Sequence, residues 1–148
     1  MYQTLTVVFL ALIGVAGGLL IRRARNQRQL EKHTITAQAL HAQLGSQPTP
    51  LVFDVRVPLD LLADSEIIPG AKRIPPKEVL ANPTLIPRDA DTVVYCTCPS
   101  DETARAILRL ALDRNFVKIK LLRGGLGAWK AAGYPVERYD TSFRLDTA

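Results

Sequence analysis

The chain has 148 residues, 47% of them hydrophobic, a formal charge of +5 and two cysteines. That length suits one compact domain with a small appendage, and two cysteines separated by a single residue exclude a disulfide framework. Of the charge, +4 falls in "RRARNQRQLEKH", where Arg22, Arg23, Arg25, Arg28 and Lys32 face one acidic residue, Glu31; the near-neutral remainder offers no basic face and argues against a nucleic-acid partner.

In chain order, Tyr2 to Ile21 carry no charged side chain, and Leu5 to Ile21 are almost wholly apolar. A helix of about 20 such residues crosses a hydrocarbon layer of about 30 Å, so residues 1–22 are read as a retained transmembrane helix. A cleaved signal peptide carries its basic residues before the apolar stretch, whereas here they follow it. Lys and Arg beside a span stay on the cytoplasmic side. The short N-terminus is therefore expected outside and the rest in the cytoplasm, at the inner (cell) membrane if the source is bacterial. Residues 23–35 form a basic juxtamembrane stalk that touches anionic lipid, at about 1 kcal/mol per basic residue. Gly14 and Gly18 have the GxxxG spacing that lets helices approach closely, which makes a weak homodimer through this segment one expected partner.

After the stalk, Thr36 stands as an N-cap before "AQALHAQL", and Gly45 stops that helix. "LVFDV" (51–55) predicts a strand buried on both faces. "PLDLLA" predicts a helical turn or two, "IIPGAKRIP" a turn with a short strand, "PKEVL" a short helix and "NPTLIPRDAD" a loop. "TVVYC" is the next buried strand, and residues 102–114 fit an amphipathic helix with Ala104, Ile107, Leu108, Ala111 and Leu112 along one side. "VKIKLL" is a strand, Gly124-Gly125 a turn and "LGAWKAAG" a final helix. Such alternation implies βα units and a mainly parallel sheet covered on both faces. The tail beyond Glu137 reads as loosely attached, with Tyr139 and Phe143 packing back.

Both cysteines lie in "VVYCTCPSDETARAI", between a strand and a helix, where ligands of parallel sheets collect. A thiol at a helix N-terminus meets the positive dipole end and unpaired N–H groups, which favour the thiolate and can hold an anion. The position suits nucleophilic sulfur chemistry. The plainer alternative is a pair of small buried residues that only pack.

Four stretches in order, "LVFDVR", "IIPGAKRIP", "VVYC" and "LLRGGLGAWKAAGYPVE", give residues 36–138 a resemblance to a single rhodanese domain, the sulfurtransferase family, with residues 139–148 as a tail. The resemblance implies an α/β fold with a mainly parallel five-stranded sheet flanked by helices, here preceded by the transmembrane helix. It implies two-step sulfur transfer: a thiolate takes sulfane sulfur from a small donor or a persulfidated protein, holds it as a persulfide, and passes it to a nucleophile. Main-chain N–H groups of the loop cradle the persulfide, and no metal or organic cofactor takes part.

The family loop commonly reads C-x-x-G-x-R-S/T. Here it reads Cys96-Thr97-Cys98-Pro99-Ser100-Asp101-Glu102-Thr103, with no glycine, no arginine and two carboxylates. Pointing inward, Asp101 and Glu102 would repel thiosulfate. They are expected to point outward instead, with Ser100 or Asp101 capping the helix. Counted along the strand, Cys96 takes the nucleophile position; counted back from Phe116, Cys98 does. Cys96 still belongs to the strand pleat, whereas Cys98 opens the turn toward the helix N-terminus. On that ground Cys98 is the expected sulfur carrier, with Cys96 a partner thiol or a buried residue.

Pro99, Ser100, Asp101, Glu102 and Thr103 are the candidate substrate-binding loop, and Arg123 the candidate cation beside it. Asp54 and Arg56 are expected to orient loops at strand ends. Gly70, Gly124 and Gly125 are expected to give turns their freedom, and Trp129 to be a core aromatic whose N–H needs a partner. Cys-x-Cys without nearby histidine or cysteine is a poor metal site. A non-catalytic partner-binding module at the membrane is the alternative function. A cysteine phosphatase or arsenate reductase ranks last, because such an enzyme needs an arginine to clamp its oxyanion.

Overall fold

The structure, a computed structural model, describes residues 2–97 and 101–139. Cys98, Pro99, Ser100 and Phe143 lie outside the described residues. The chain divides into an N-terminal unit ending at Lys32 and a second unit that begins at His33.

The first unit is a single helix of 31 residues, α1 (Tyr2–Lys32). At the helical rise it is about 46 Å long, more than the hydrocarbon thickness of about 30 Å. It is long and apolar enough to cross a membrane, and Val8, Phe9, Leu12, Ile13 and Leu19 are among its exposed apolar side chains. The helix continues through most of the basic stalk. That stretch has no glycine or proline and is rich in Arg and Gln, which are good helix formers.

The second unit is built from βα steps. β1 (Thr34–Ile35) leads into α2 (Ala37–Leu44), whose N-cap Thr36 accepts a hydrogen bond from the Ala39 N–H at 3.2 Å. β2 (Leu51–Asp54) is followed by α3 (Pro58–Ala63), β3 (Glu66–Ile67), β4 (Lys72–Arg73) and α4 (Pro76–Ala81). A 3-10 turn at Pro83–Leu85 then precedes β5 (Thr92–Tyr95), α5 (Glu102–Asp113), β6 (Ile119–Leu122), α6 (Gly125–Ala131) and β7 (Glu137–Arg138).

Five strands form one parallel sheet in the order β1-β6-β5-β2-β4. The central strands are fully covered, so they read as continuous apolar runs rather than alternating ones. On one face Val52, Val93, Tyr95 and Leu122 share a core with Ala37 and Leu40 of α2 and with Leu126 and Trp129 of α6. The alternate residues Phe53, Val94 and Leu121, in register across β2, β5 and β6, point to the other face. There α5 packs on β5 and β6, burying Ala104, Ile107, Leu108 and Ala111.

Trp129 anchors the first core. Only 1% of it is exposed, and its Nε1–H donates to the Pro135 carbonyl at 2.8 Å. Truncation removes a large buried surface and strands that carbonyl. Trp129→Ala is expected to lower stability by about 3–5 kcal/mol, read from chemical denaturation.

Just beyond Glu137 the structure departs from the reading of a loose tail: Glu137 and Arg138 pair antiparallel with Ile67 and Glu66 as a small second sheet. The Tyr139 N–H extends this by donating to the Ser65 carbonyl at 2.8 Å.

Candidate active site

Cys96 follows β5 directly at the carboxyl end of the parallel sheet, and only 1% of it is exposed. Its carbonyl accepts from the Leu126 N–H at 3.1 Å. That bond is possible because Gly125 lets α6 start against the strand end: a Cβ there would lie 1.7 Å from the Cys96 oxygen. Thr97, half-buried, donates its hydroxyl to Asp60 Oδ2 of α3 at 2.9 Å.

The far end of the loop is held by the same glycine turn. Asp101 is 4% exposed, and its Oδ2 accepts from the Gly124 N–H at 3.0 Å. Gly124, Gly125 and Leu126 therefore tie down both ends of the cysteine loop. The turn that the sequence marks by its paired glycines is a clamp on the site, through main-chain donors rather than side chains.

This corrects the capping expectation for Asp101. The residue does stand at the N-cap of α5, but in the left-handed region (φ 53°), and its side chain makes no capping hydrogen bond. Aspartate tolerates that backbone better than most residues. The competing attraction is the Gly124 N–H, and it turns the carboxylate inward. Glu102 is exposed, and Thr103 is half-buried. Arg123 is exposed and forms no ion pair with Asp101; its main-chain N–H donates to the Ile35 carbonyl of β1 at 2.9 Å.

Behind the loop lies a buried polar network. Asp54 at the end of β2 and Arg56 two residues on are both 0% exposed. The Arg56 Nε donates to both Asp54 oxygens at 3.0 and 2.8 Å, and Nη2 to Oδ2 at 2.6 Å. The remaining donors reach the carbonyls of Asp64 and Glu66 at 2.8 and 2.9 Å. Asp54 and Arg56 thus brace the segment between α3 and β3. Burial alone would lower the Arg56 pKa, but the hydrogen bond and charge of Asp54 more than offset it, so the guanidinium is held charged.

Tyr95 completes the network. Its hydroxyl donates to Asp54 Oδ2 at 3.2 Å and accepts from the Ile68 N–H at 3.3 Å. Burial, together with the Asp54 charge, pushes its pKa far above the ordinary tyrosine value. It acts as a phenol that fixes the strand end next to Cys96. Tyr95, Thr97 and Asp60 were missed in the sequence reading. Tyr95 left a signal, because a tyrosine inside a fully buried strand needs a partner for its hydroxyl.

With this fold and site in view, the comparisons place the chain. Residues 36–132 match the family model of the rhodanese-like domain, and the protein belongs to that family. A sulfurtransferase of Allochromatium vinosum is 26% identical over 102 residues, 69% of this chain and 92% of that protein. A rhodanese-related protein of Thermoplasma volcanium has a similar structure, with TM-score 0.58 and 27% identity over 71% of this chain and 97% of that one. A thiosulfate sulfurtransferase of Pseudomonas aeruginosa matches with TM-score 0.57 and 27% identity over 73% of this chain, which spans 20% of that longer protein. Family and relatives together support a sulfurtransferase-type function.

Proposed function

We propose that the protein is a membrane-anchored sulfur carrier of the sulfurtransferase type, working through a persulfide on Cys98. The Cys98 thiolate attacks the outer sulfur of a donor R–S–S⁻, forming Cys98–S–S⁻ and releasing R–S⁻. An acceptor thiolate then attacks the terminal sulfur of Cys98–S–S⁻, which leaves with the acceptor as R′–S–S⁻ and restores the Cys98 thiolate. The observation that carries this reading is the clamp. A cysteine-bearing loop at the carboxyl end of a parallel sheet is held at both ends by one glycine turn, as preorganised chemistry needs. Cys96, sealed at 1% exposure with its carbonyl engaged, suits a supporting role better than attack on a donor. Cys98 follows it at the turn toward α5, on the sequence argument.

Arg22, Arg23, Arg25 and Arg28 follow the apolar part of α1 and favour a domain held on the cytoplasmic face against anionic lipid. The test of the chemistry compares Cys96→Ala with Cys98→Ala in sulfur transfer from a persulfide donor to cyanide. Cys98→Ala is expected to abolish transfer, and Cys96→Ala to retain at least about a tenth of it. Retained transfer in Cys98→Ala would move the role to Cys96.

The inward carboxylate of Asp101 favours a second reading, a rhodanese-like module that binds a partner at the membrane and transfers nothing. Rapid, selective alkylation of one cysteine near neutral pH counts against it.

A further inference from the structure

The N-terminal end of the parallel sheet, opposite Cys96, holds a cavity of about 240 Å³. It lies between β5, β6 and the loop that follows α2, and Pro50, Asp91, Val93, Lys118 and Lys120 help to line it. Val93 and Lys120 are in register across β5 and β6, so Lys120 points to the face on which Val93 meets α2. Pro50 and Val93 are buried there, and Lys120 is half-buried. The Lys120 ammonium has no ion pair or hydrogen bond among the described residues. Asp91 precedes β5 beside Lys118, whose carbonyl accepts from the Thr92 N–H at 3.0 Å. The two side chains do not pair: Lys118 Nζ donates to the Asp89 carbonyl at 3.0 Å, and the Asp91 carboxylate has no cationic partner among the described residues. One cavity therefore presents a cation and an anion that do not neutralise each other. A plain anion would be opposed by Asp91, and a plain cation by the two lysines. A ligand carrying both charges a few atoms apart satisfies both.

We propose that this cavity binds a phosphodiester with an ammonium group two carbons away, the phosphoethanolamine unit. Lys120 and Lys118 take the phosphate by charge-assisted hydrogen bonds, Asp91 takes the ammonium, and Pro50 and Val93 cover the carbons between. Two lysines suit a tetrahedral phosphate, because each is a point charge with rotatable donors; a planar carboxylate is better matched by the fork of an arginine. The chain enters this unit at His33, whose Nδ1–H donates to the Ile119 carbonyl, between the two lysines in sequence, at 3.0 Å. The residues before His33 are the basic end of a helix long and apolar enough to cross a membrane. A lipid headgroup is thus one source of the unit, and a soluble ester is the other. The site takes no part in the sulfur chemistry and stands apart from that reading.

The experiment uses the full chain in an uncharged, phosphate-free detergent, titrated with glycerophosphoethanolamine or glycerophosphoglycerol and followed by phosphorus NMR. Both are singly charged phosphodiesters, and they differ mainly in whether an ammonium is present. The native protein is expected to bind the first about tenfold or more tightly than the second. Lys120→Met keeps the stem and removes the charge, and is expected to weaken both by about tenfold or more. Asp91→Asn is expected to cut the preference to about threefold or less. Equal binding of the two esters by the native protein, binding of neither, or unchanged affinities in Lys120→Met overturns the proposal. The same titration in phosphatidylglycerol vesicles, with and without phosphatidylethanolamine, distinguishes the sources. Ester binding that disappears when phosphatidylethanolamine is present assigns the site to the lipid headgroup, and undiminished binding assigns it to a soluble ester.

Discussion

Gly125→Ala is expected to unfold the site. Its Cβ would lie 1.7 Å from the Cys96 carbonyl oxygen and 2.9 Å from the carbonyl carbon, both main-chain atoms that no rotamer change can move aside. The residue also has φ +52°, where a side chain adds strain of about 1–2 kcal/mol. Relief requires α6 to back away from the end of β5, which breaks the Leu126-to-Cys96 hydrogen bond and drags the Gly124 N–H from Asp101. Together these should cost at least about 3 kcal/mol, as overpacking with loss of buried hydrogen bonds does. Sulfur loading should fall more than stability does, because the cysteine loop is what moves. Gly70 provides the comparison: its φ is +75° but a Cβ there meets nothing within 4 Å. Gly70→Ala should therefore show the backbone strain alone, about 1–2 kcal/mol, with loading intact. Equal effects at the two glycines would mean that contact with Cys96 does not matter.

The second large effect is expected at Arg56. It is wholly buried, and it satisfies Asp54 while bracing the carbonyls of Asp64 and Glu66. Arg56→Met leaves the Asp54 carboxylate buried beside only the Tyr95 hydroxyl and the main-chain N–H of residue 56. A buried ion left without its partner typically costs about 3–5 kcal/mol. Replacing both members, Asp54→Leu with Arg56→Met, should recover part of that loss, since the desolvation of the pair is removed with its attraction. The measurement is a double-mutant cycle by chemical denaturation. Additive losses would show that the two side chains act independently, against the geometry found here.

Much of the fold was legible because buried parallel strands write themselves as short apolar runs: "LVFD", "TVVY" and "IKLL" are strands as read. Helices α2, α5 and α6 were readable from caps, period and glycine stops. What escaped was non-local. β1, β3 and β7 are two residues long, too short for any periodicity, and they exist only because a distant segment offers them a ladder. Asp101 escaped for the same reason. Local rules put an aspartate before a helix to work as a cap, whereas its actual partner is a main-chain N–H supplied by Gly124 after another helix and strand. The paired glycines were visible as a turn, but their role as a clamp on the cysteine loop follows only from the strand order that sets β6 beside β5. Likewise Thr97 finds Asp60 across the site from a helix whose sequence, "PLDLLA", shows no sign of it.

The most direct measurement is the intact mass of the full chain after exposure to an aminothiol persulfide, followed by peptide mapping of the product. The expected result is the gain of one sulfur, found on Cys98, retained in Cys96→Ala and lost in Cys98→Ala. No gain in mass from any persulfide, with both thiols still alkylatable, would contradict sulfur carriage and leave a rhodanese-like fold that serves only to bind.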